Sequence, residues 1–384
     1  MISAVQRTRR SEVASWLLAL VAAATLLAAT DYRTRDPDSR AYIAITTRIV
    51  EEPVRSWIAP QWWGAWAGQG RFLEHPAGTF VLPAFLARAG FPVAQSLFVV
   101  TLAGQIVTLL VLVALASRLL PPSHAHAIGW AALLIPIAFV FRVRANQEYL
   151  VLAGILVAVY GLERARTAAA WIVVALAGCL FALTVKGVFA LLAPMAGVLW
   201  LWARRPTPIT AWVGLVLMTA AIPVAALTYE AAYVRVTGES FLDYYLGARM
   251  SLDAGVASTL PFPLDKIWNV LWYCGRVAWY AAPWGLAVAL LARRTSREAI
   301  GASAWRFVTF GVLSAAAAIA LVAIRDTRAD RYIFPAYFLV TAAGVAAACA
   351  LTPRSGAVAD RLDRLWPWGP AALWLALVTG RVIL

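Results

Sequence analysis

Trp171-Ile-Val-Val-Ala-Leu-Ala-Gly-Cys-Leu-Phe-Ala-Leu-Thr-Val-Lys186-Gly187 runs on to Trp200 with a single charged side chain. A membrane span takes about twenty mostly apolar residues, so the stretch reads as two spans that meet at Lys186. An ammonium at the bilayer centre would cost on the order of 2.5 to 3.5 kcal/mol. Placing Lys186 at an outer turn lowers that cost and lets its charge face a phosphate.

Outward from this pair, similar apolar runs recur along the whole chain. Spans are expected near 13–30, 92–117, 127–141, 149–163, 168–185, 187–203, 209–229, 268–291, 303–324, 332–351 and 366–384, about eleven in all. Segment 77–89, after Pro76, is apolar but too short to cross alone. With 62% hydrophobic and 14% charged residues and a mean hydropathy of +0.75, the chain is too apolar for a water-soluble domain. The expected fold is all-α: a polytopic transmembrane helical bundle forming one integral domain, 1–384. Its first extracytoplasmic loop, 31–78, carries short interfacial helices, and a second large one covers 230–267.

The formal charge of +14 comes from arginines in short clusters between apolar runs, which fix topology and do not form a nucleic-acid face. The compact basic segments Arg7 to Arg10, Arg118 to His126, Glu163 to Arg166, Arg204-Arg205, Arg293 to Arg297 and Arg354 to Arg364 fall on one side when spans alternate. The long, carboxylate-bearing segments fall on the other. The N-terminus is therefore expected in the cytoplasm, with the first span an uncleaved signal anchor and the long loops outside. Arg and Ala richness points to a bacterial inner membrane. Cys179, Cys274 and Cys349 have neither disulfide nor zinc spacing and read as packing residues.

The first loop reads Asp31-Tyr-Arg-Thr-Arg-Asp36-Pro-Asp38-Ser-Arg-Ala-Tyr42 and closes on Phe72-Leu-Glu74-His75-Pro76. By charge alone it is a solvated, ion-paired loop. The chemical reading is that a carboxylate steered by arginines at a bilayer surface, Asp38 or Asp36, deprotonates an acceptor hydroxyl as a bond to phosphate breaks. Asp36, Asp38 and Glu74 together would suit a hard divalent ion such as Mg, Mn or Ca, with Asp38 and Glu74 the expected ligands and His75 a further one. Trp57, Trp62, Trp63 and Trp66 read as interfacial anchors. Arg142-Val-Arg144-Ala-Asn146-Gln-Glu148 and Arg325-Asp-Thr-Arg328-Ala-Asp330-Arg331-Tyr332 are polar clusters on the same side as Lys186. They either cap helix ends or line one cavity in which arginines neutralise a phosphate leaving group.

Asp38-Ser-Arg-Ala-Tyr42-Ile-Ala44 resembles the DExxYxxIA-type segment of membrane glycosyltransferases with the GT-C fold, and Glu74-His75-Pro76 their E-K/H-P-P segment. Thr184-Val-Lys186-Gly187, Arg144 to Glu148 and Arg331-Tyr332-x-x-Pro335 resemble three further elements, in family order. The chain thus resembles the aminoarabinose (lipid A) transferases and protein mannosyltransferases. The resemblance implies an inverting transfer of a sugar from a polyprenyl-phosphate donor to a lipid, glycan or protein acceptor at the periplasmic face. It implies Asp38 as base, or beside the base. Lys186 and Arg331, with Arg144 and Arg142, would address the donor phosphate, and Glu74, His75, Tyr42 and Glu148 would meet acceptor or metal. Ser39 stands where relatives carry a second acidic residue, and Ala77 where they carry a second proline. A flippase or transporter of a lipid-linked sugar is the alternative, although neither internal repeats nor paired broken helices are visible.

Overall fold

The computed structural model describes residues 4–29, 36–63, 67–68, 70–138, 144–249, 263–291, 297–325 and 328–383. Arg142, Trp66 and the middle of the second loop lie outside them. The chain is a multi-pass, all-α membrane protein. Its main helices are α1 (Ala4–Ala29), α2 (Pro37–Glu51), α3 (Gly78–Arg88), α4 (Val93–Ala116), α5 (Pro122–Leu133), α6 (Glu148–Ala165), α7 (Trp171–Lys186), α8 (Leu192–Ala203), α9 (Ile209–Thr237), α10 (Leu264–Tyr280), α11 (Trp284–Leu291), α12 (Ala302–Ala323), α13 (Phe334–Leu351), α14 (Pro353–Leu365) and α15 (Gly369–Ile383).

Among the described residues, five helical stretches are long and apolar enough to cross a membrane: Val93–Ala116, Trp171–Ala203, Ile209–Thr237, Ala302–Ala323 and Asp330–Leu351. The second is a hairpin. Arg164 stacks on Trp171 and Arg204 pairs with Glu163, so both ends of 171–203 lie at the C-terminal end of α6. Lys186 meets Glu148 at its N-terminal end. The expected reversal at Lys186 is therefore present, carried by the short 3₁₀ turn Gly187–Leu191.

Helix α7 lies against α6 backbone to backbone. A Cβ on Gly161 would stand 2.4 Å from the Ala175 amide nitrogen, and one on Gly178 would stand 2.6 Å from that of Ala158. Small residues at such crossings let helices associate where apolar side chains gain nothing over lipid. The central core gathers Tyr149, Leu152, Trp200, Phe310, Phe334 and Phe338 around α6.

Two expected boundaries change. The span at 268–291 is two helices, α10 and α11, interrupted at 281–283, where Pro283 offers no amide to continue the ladder. Helix α9 runs to Thr237, past the expected loop start at 230, and ends on Gly238 in the left-handed region at φ 77°.

The first loop is more ordered than an interfacial strip. Asp36 caps α2, its side chain accepting from the Ser39 amide at 2.9 Å and the Ser39 hydroxyl at 2.6 Å, with Pro37 opening the first turn. Tyr42, Ile45 and Ile49 then fall on one face. With Trp57, Phe72 and Phe80 they build a second apolar core. Trp57 is thus a core residue and not a membrane anchor; it packs on Phe85, with the Arg88 guanidinium over its ring. Trp62 packs on the same core, whereas Trp63 is 63% exposed. A two-stranded antiparallel ribbon, Ala67–Gly68 with Arg71–Phe72, closes the loop; no strand was expected in an all-α chain.

Candidate functional site

Four segments meet above the N-terminal end of α6. The first is the start of α2. Its cap divides the work of the two aspartates that sequence left undecided: Asp36 is held by Ser39 and by Arg144, 3.3 Å away, whereas Asp38 pairs with Arg331 from the far end of the chain. Ser39, the departure from the family pattern, is buried and accepts from the Ala145 amide at 2.9 Å. It ties α2 to the second segment, 144–148. There Asn146 accepts from the Glu148 amide and donates to the Arg144 carbonyl, fixing the turn that opens α6.

Lys186 supplies the third segment. Its Nζ lies 2.5 Å from Glu148 Oε2, both side chains about 5% exposed or less, and sits over the Phe189 ring at 4.6 Å. Glu148, expected to meet acceptor or metal, meets Lys186; Lys186, expected against a phosphate, meets a protein carboxylate. A pair this buried is justified only by its partner, since removing one member strands the other charge. Gly187 makes the geometry possible. It holds φ +58°, and a Cβ there would stand 2.5 Å from the Tyr245 hydroxyl, which accepts from the Val188 amide.

The fourth segment is Arg325 with 328–332, before α13. Arg331 lines two cavities at once. One is enclosed, of about 20 Å³, with room for about one water, and is lined by Glu74, Gln147, Lys186, Tyr245, Arg325 and Tyr332 among others. The other is open, of about 400 Å³, and is lined by Asp38, Pro136, Ile137, Arg144, Tyr280, Ala329 and Asp330. Arg331 and its partner Asp38 thus stand where the two spaces adjoin. The predicted site residues Asp38, Arg331, Arg144, Lys186, Glu148 and Glu74 come together here.

Tyr42 and His75 form the floor. The Tyr42 hydroxyl is 3.3 Å from His75 Nε2, and His75 Nδ1 is 3.0 Å from the Pro76 carbonyl. That carbonyl can only accept, so Nδ1 carries a proton, and Nε2 shares a hydrogen bond with the Tyr42 hydroxyl. Both ring nitrogens thus lie within hydrogen-bonding distance of protein atoms. Burial, then the nearby Glu74 carboxylate, pushes the Tyr42 phenol well above its ordinary pKa, so it stays a neutral donor. Among the described residues no group of three or more His, Cys, Asp or Glu side chains could hold a metal ion.

Sequence reading passed over Tyr245, Tyr280 and Arg276. Asp330 lies 2.9 Å from Arg276 and accepts from the Tyr280 hydroxyl at 3.3 Å. Arg276 and Tyr280 are four apart on α10 and so share a helix face, the one signal that pointed to them.

Among solved structures, ArnT from Cupriavidus metallidurans bound to undecaprenyl phosphate superposes with a TM-score of 0.64 at 15% identity. The apo state of the same protein gives 0.60 at 16%. Each match covers 90% of this chain and 62% of the ArnT chain, so this chain spans about three fifths of ArnT's length. The GT-C fold implied by the motif resemblance is therefore the fold of this chain. No protein-family model and no curated protein matches the sequence.

Proposed function

We propose that this chain is an inverting glycosyltransferase that moves a sugar from a polyprenyl-phosphate carrier to an acceptor hydroxyl, working on the outer face of a bacterial inner membrane. The observation that carries the reading is the Asp38–Arg331 pair at the junction of two cavities, in a fold shared with an ArnT that holds undecaprenyl phosphate. The acceptor oxygen attacks the anomeric carbon as the bond from that carbon to the phosphate oxygen breaks. The acceptor proton passes to Asp38, and the charge gained by the departing phosphate falls on Arg331. The reaction needs these two side chains adjacent, yet serving different substrates.

The phosphate approaches Arg331 from the enclosed side, where Lys186 and Arg325 add positive charge. It needs more space than about 20 Å³. Donor binding therefore requires that pocket to widen. Lys186 acts as a positioning residue, held by Glu148, and Asp36 as the cap that aims Asp38.

Purified protein incubated with polyprenyl-phosphate sugars and candidate acceptors, with carrier release followed by mass spectrometry, tests the reading. Release that depends on Asp38 is expected. Movement of labelled carrier across vesicles without release would instead mark a flippase.

A further inference from the structure

We infer that the open cavity of about 400 Å³ receives an uncharged, hydroxyl-bearing acceptor headgroup and discriminates against a phosphorylated one. This rests on the transferase reading above and adds the acceptor's class to it.

The inference follows from the charges that line the space. Its two guanidinium groups, Arg144 and Arg331, each face a carboxylate: Asp36 at 3.3 Å and Asp38. Its remaining carboxylate, Asp330, faces Arg276 at 2.9 Å. Three cations meet three anions, and no lining cation is surplus among the described residues. Arg328 is exposed and outside the lining. Counted by lining side chains alone, the open cavity sets two cations, Arg144 and Arg331, against two carboxylates, Asp38 and Asp330, whereas the enclosed pocket sets Lys186, Arg325 and Arg331 against Glu74, with Lys186 paired to Glu148 behind its wall.

Turnover makes the open side less welcoming to anions. When a bound donor phosphate draws Arg331, before the acceptor proton reaches Asp38, that carboxylate loses its partner and the cavity tends negative. A phosphorylated acceptor would then meet the unmatched Asp38 while Arg144 and Arg276 stay engaged by Asp36 and Asp330, and like charges facing each other in a binding site are a strong means of rejecting a partner. A neutral polyol suits the same walls. The Tyr280 hydroxyl and the Asp330 carboxylate offer hydrogen bonds, and Pro136 with Ile137 offers an apolar surface for the face of a sugar ring.

The experiment compares a short-chain alkyl glucoside with the same glucoside carrying a 6-phosphate, using full-length protein in nanodiscs. Calorimetry measures the affinity of each, and carrier release measures each as acceptor. The neutral glycoside is expected to bind about tenfold or more tightly than the phosphate. Asp330→Asn, which leaves Arg276 unmatched, should narrow that gap about tenfold, and Arg276→Gln should widen it. Equal or tighter binding of the phosphorylated glucoside, with the gap unmoved in both variants, overturns the inference. Carrier release with only the phosphorylated acceptor overturns it while leaving the transferase reading in place. Neutral preference in binding with no carrier release from any donor sinks the transferase reading and keeps the cavity's selectivity.

Discussion

Helix α6 carries a buried carboxylate at each end, Glu148 and Glu163, roughly 22 Å apart, and the two ends are built for different ends. Glu163 accepts from Trp200 Nε1 at 3.0 Å and from Arg204 at 3.2 and 3.0 Å, with Arg166 at 3.6 Å. These arginines place their other donors on the backbone carbonyls of Arg118, Arg204 and Pro206. The result is a clamp that fixes the loop after α8. Glu148 pairs with Lys186, and beyond Lys186 lie Arg331 and the two cavities. A buried ion pair alone therefore marks no site; adjoining space and a second, breakable pair do.

The sharpest way to break this contrast is Asp38→Asn, which should lower carrier release about a thousandfold with unchanged thermal stability. Asp36→Asn should keep most of the turnover. Activity in Asp38→Asn would move the base elsewhere.

Next in size, Glu163→Gln should destabilise by about 3 to 5 kcal/mol, seen as a lower unfolding temperature in detergent. Its turnover per folded molecule should stay near wild type. Glu148→Gln should lose both stability and turnover, and equal behaviour of the two variants would erase the distinction between the ends.

Gly187→Ala should cost on the order of 1 to 3 kcal/mol, since it adds a Cβ 2.5 Å from the Tyr245 hydroxyl at a positive φ. Tyr245→Phe in the same chain leaves the clash with the ring and should rescue little.

The smallest effect is at alkaline pH. Folding raises the Tyr42 pKa, so the unfolded chain loses its proton first, at about pH 10. The stability this group contributes is intact below that value and falls as pH rises above it. Tyr42→Phe should show a shallower alkaline loss in a pH series of melting curves.

Much of this contrast was legible in the sequence. Lys186 announced a reversal because a lone ammonium in an apolar run has few tolerable places, and Arg144 to Glu148 announced the start of α6. What stayed hidden depends on contacts between distant segments. Nothing near Asp38 says that Arg331 will reach it, nor near Lys186 that Glu148 will, and Asp36 and Asp38 separate only once the cap geometry is seen. Trp57 looked like an anchor because burial under Phe85 is a tertiary fact. Polar turns at both ends of α6 combine a glutamate with arginines, and the adjoining cavities are what make one of them a candidate site.

The glycine contacts between α6 and α7 give distant positions a hold on this chemistry. Because the two backbones touch at Gly161 and Gly178 with no compressible side chain between them, a single methyl there would act as a shim, tilting α7 about its lower end. The displacement would grow along the rod and be greatest at its tip, where the ammonium sits. A substitution several turns away could thus detune the reaction while touching none of its participants.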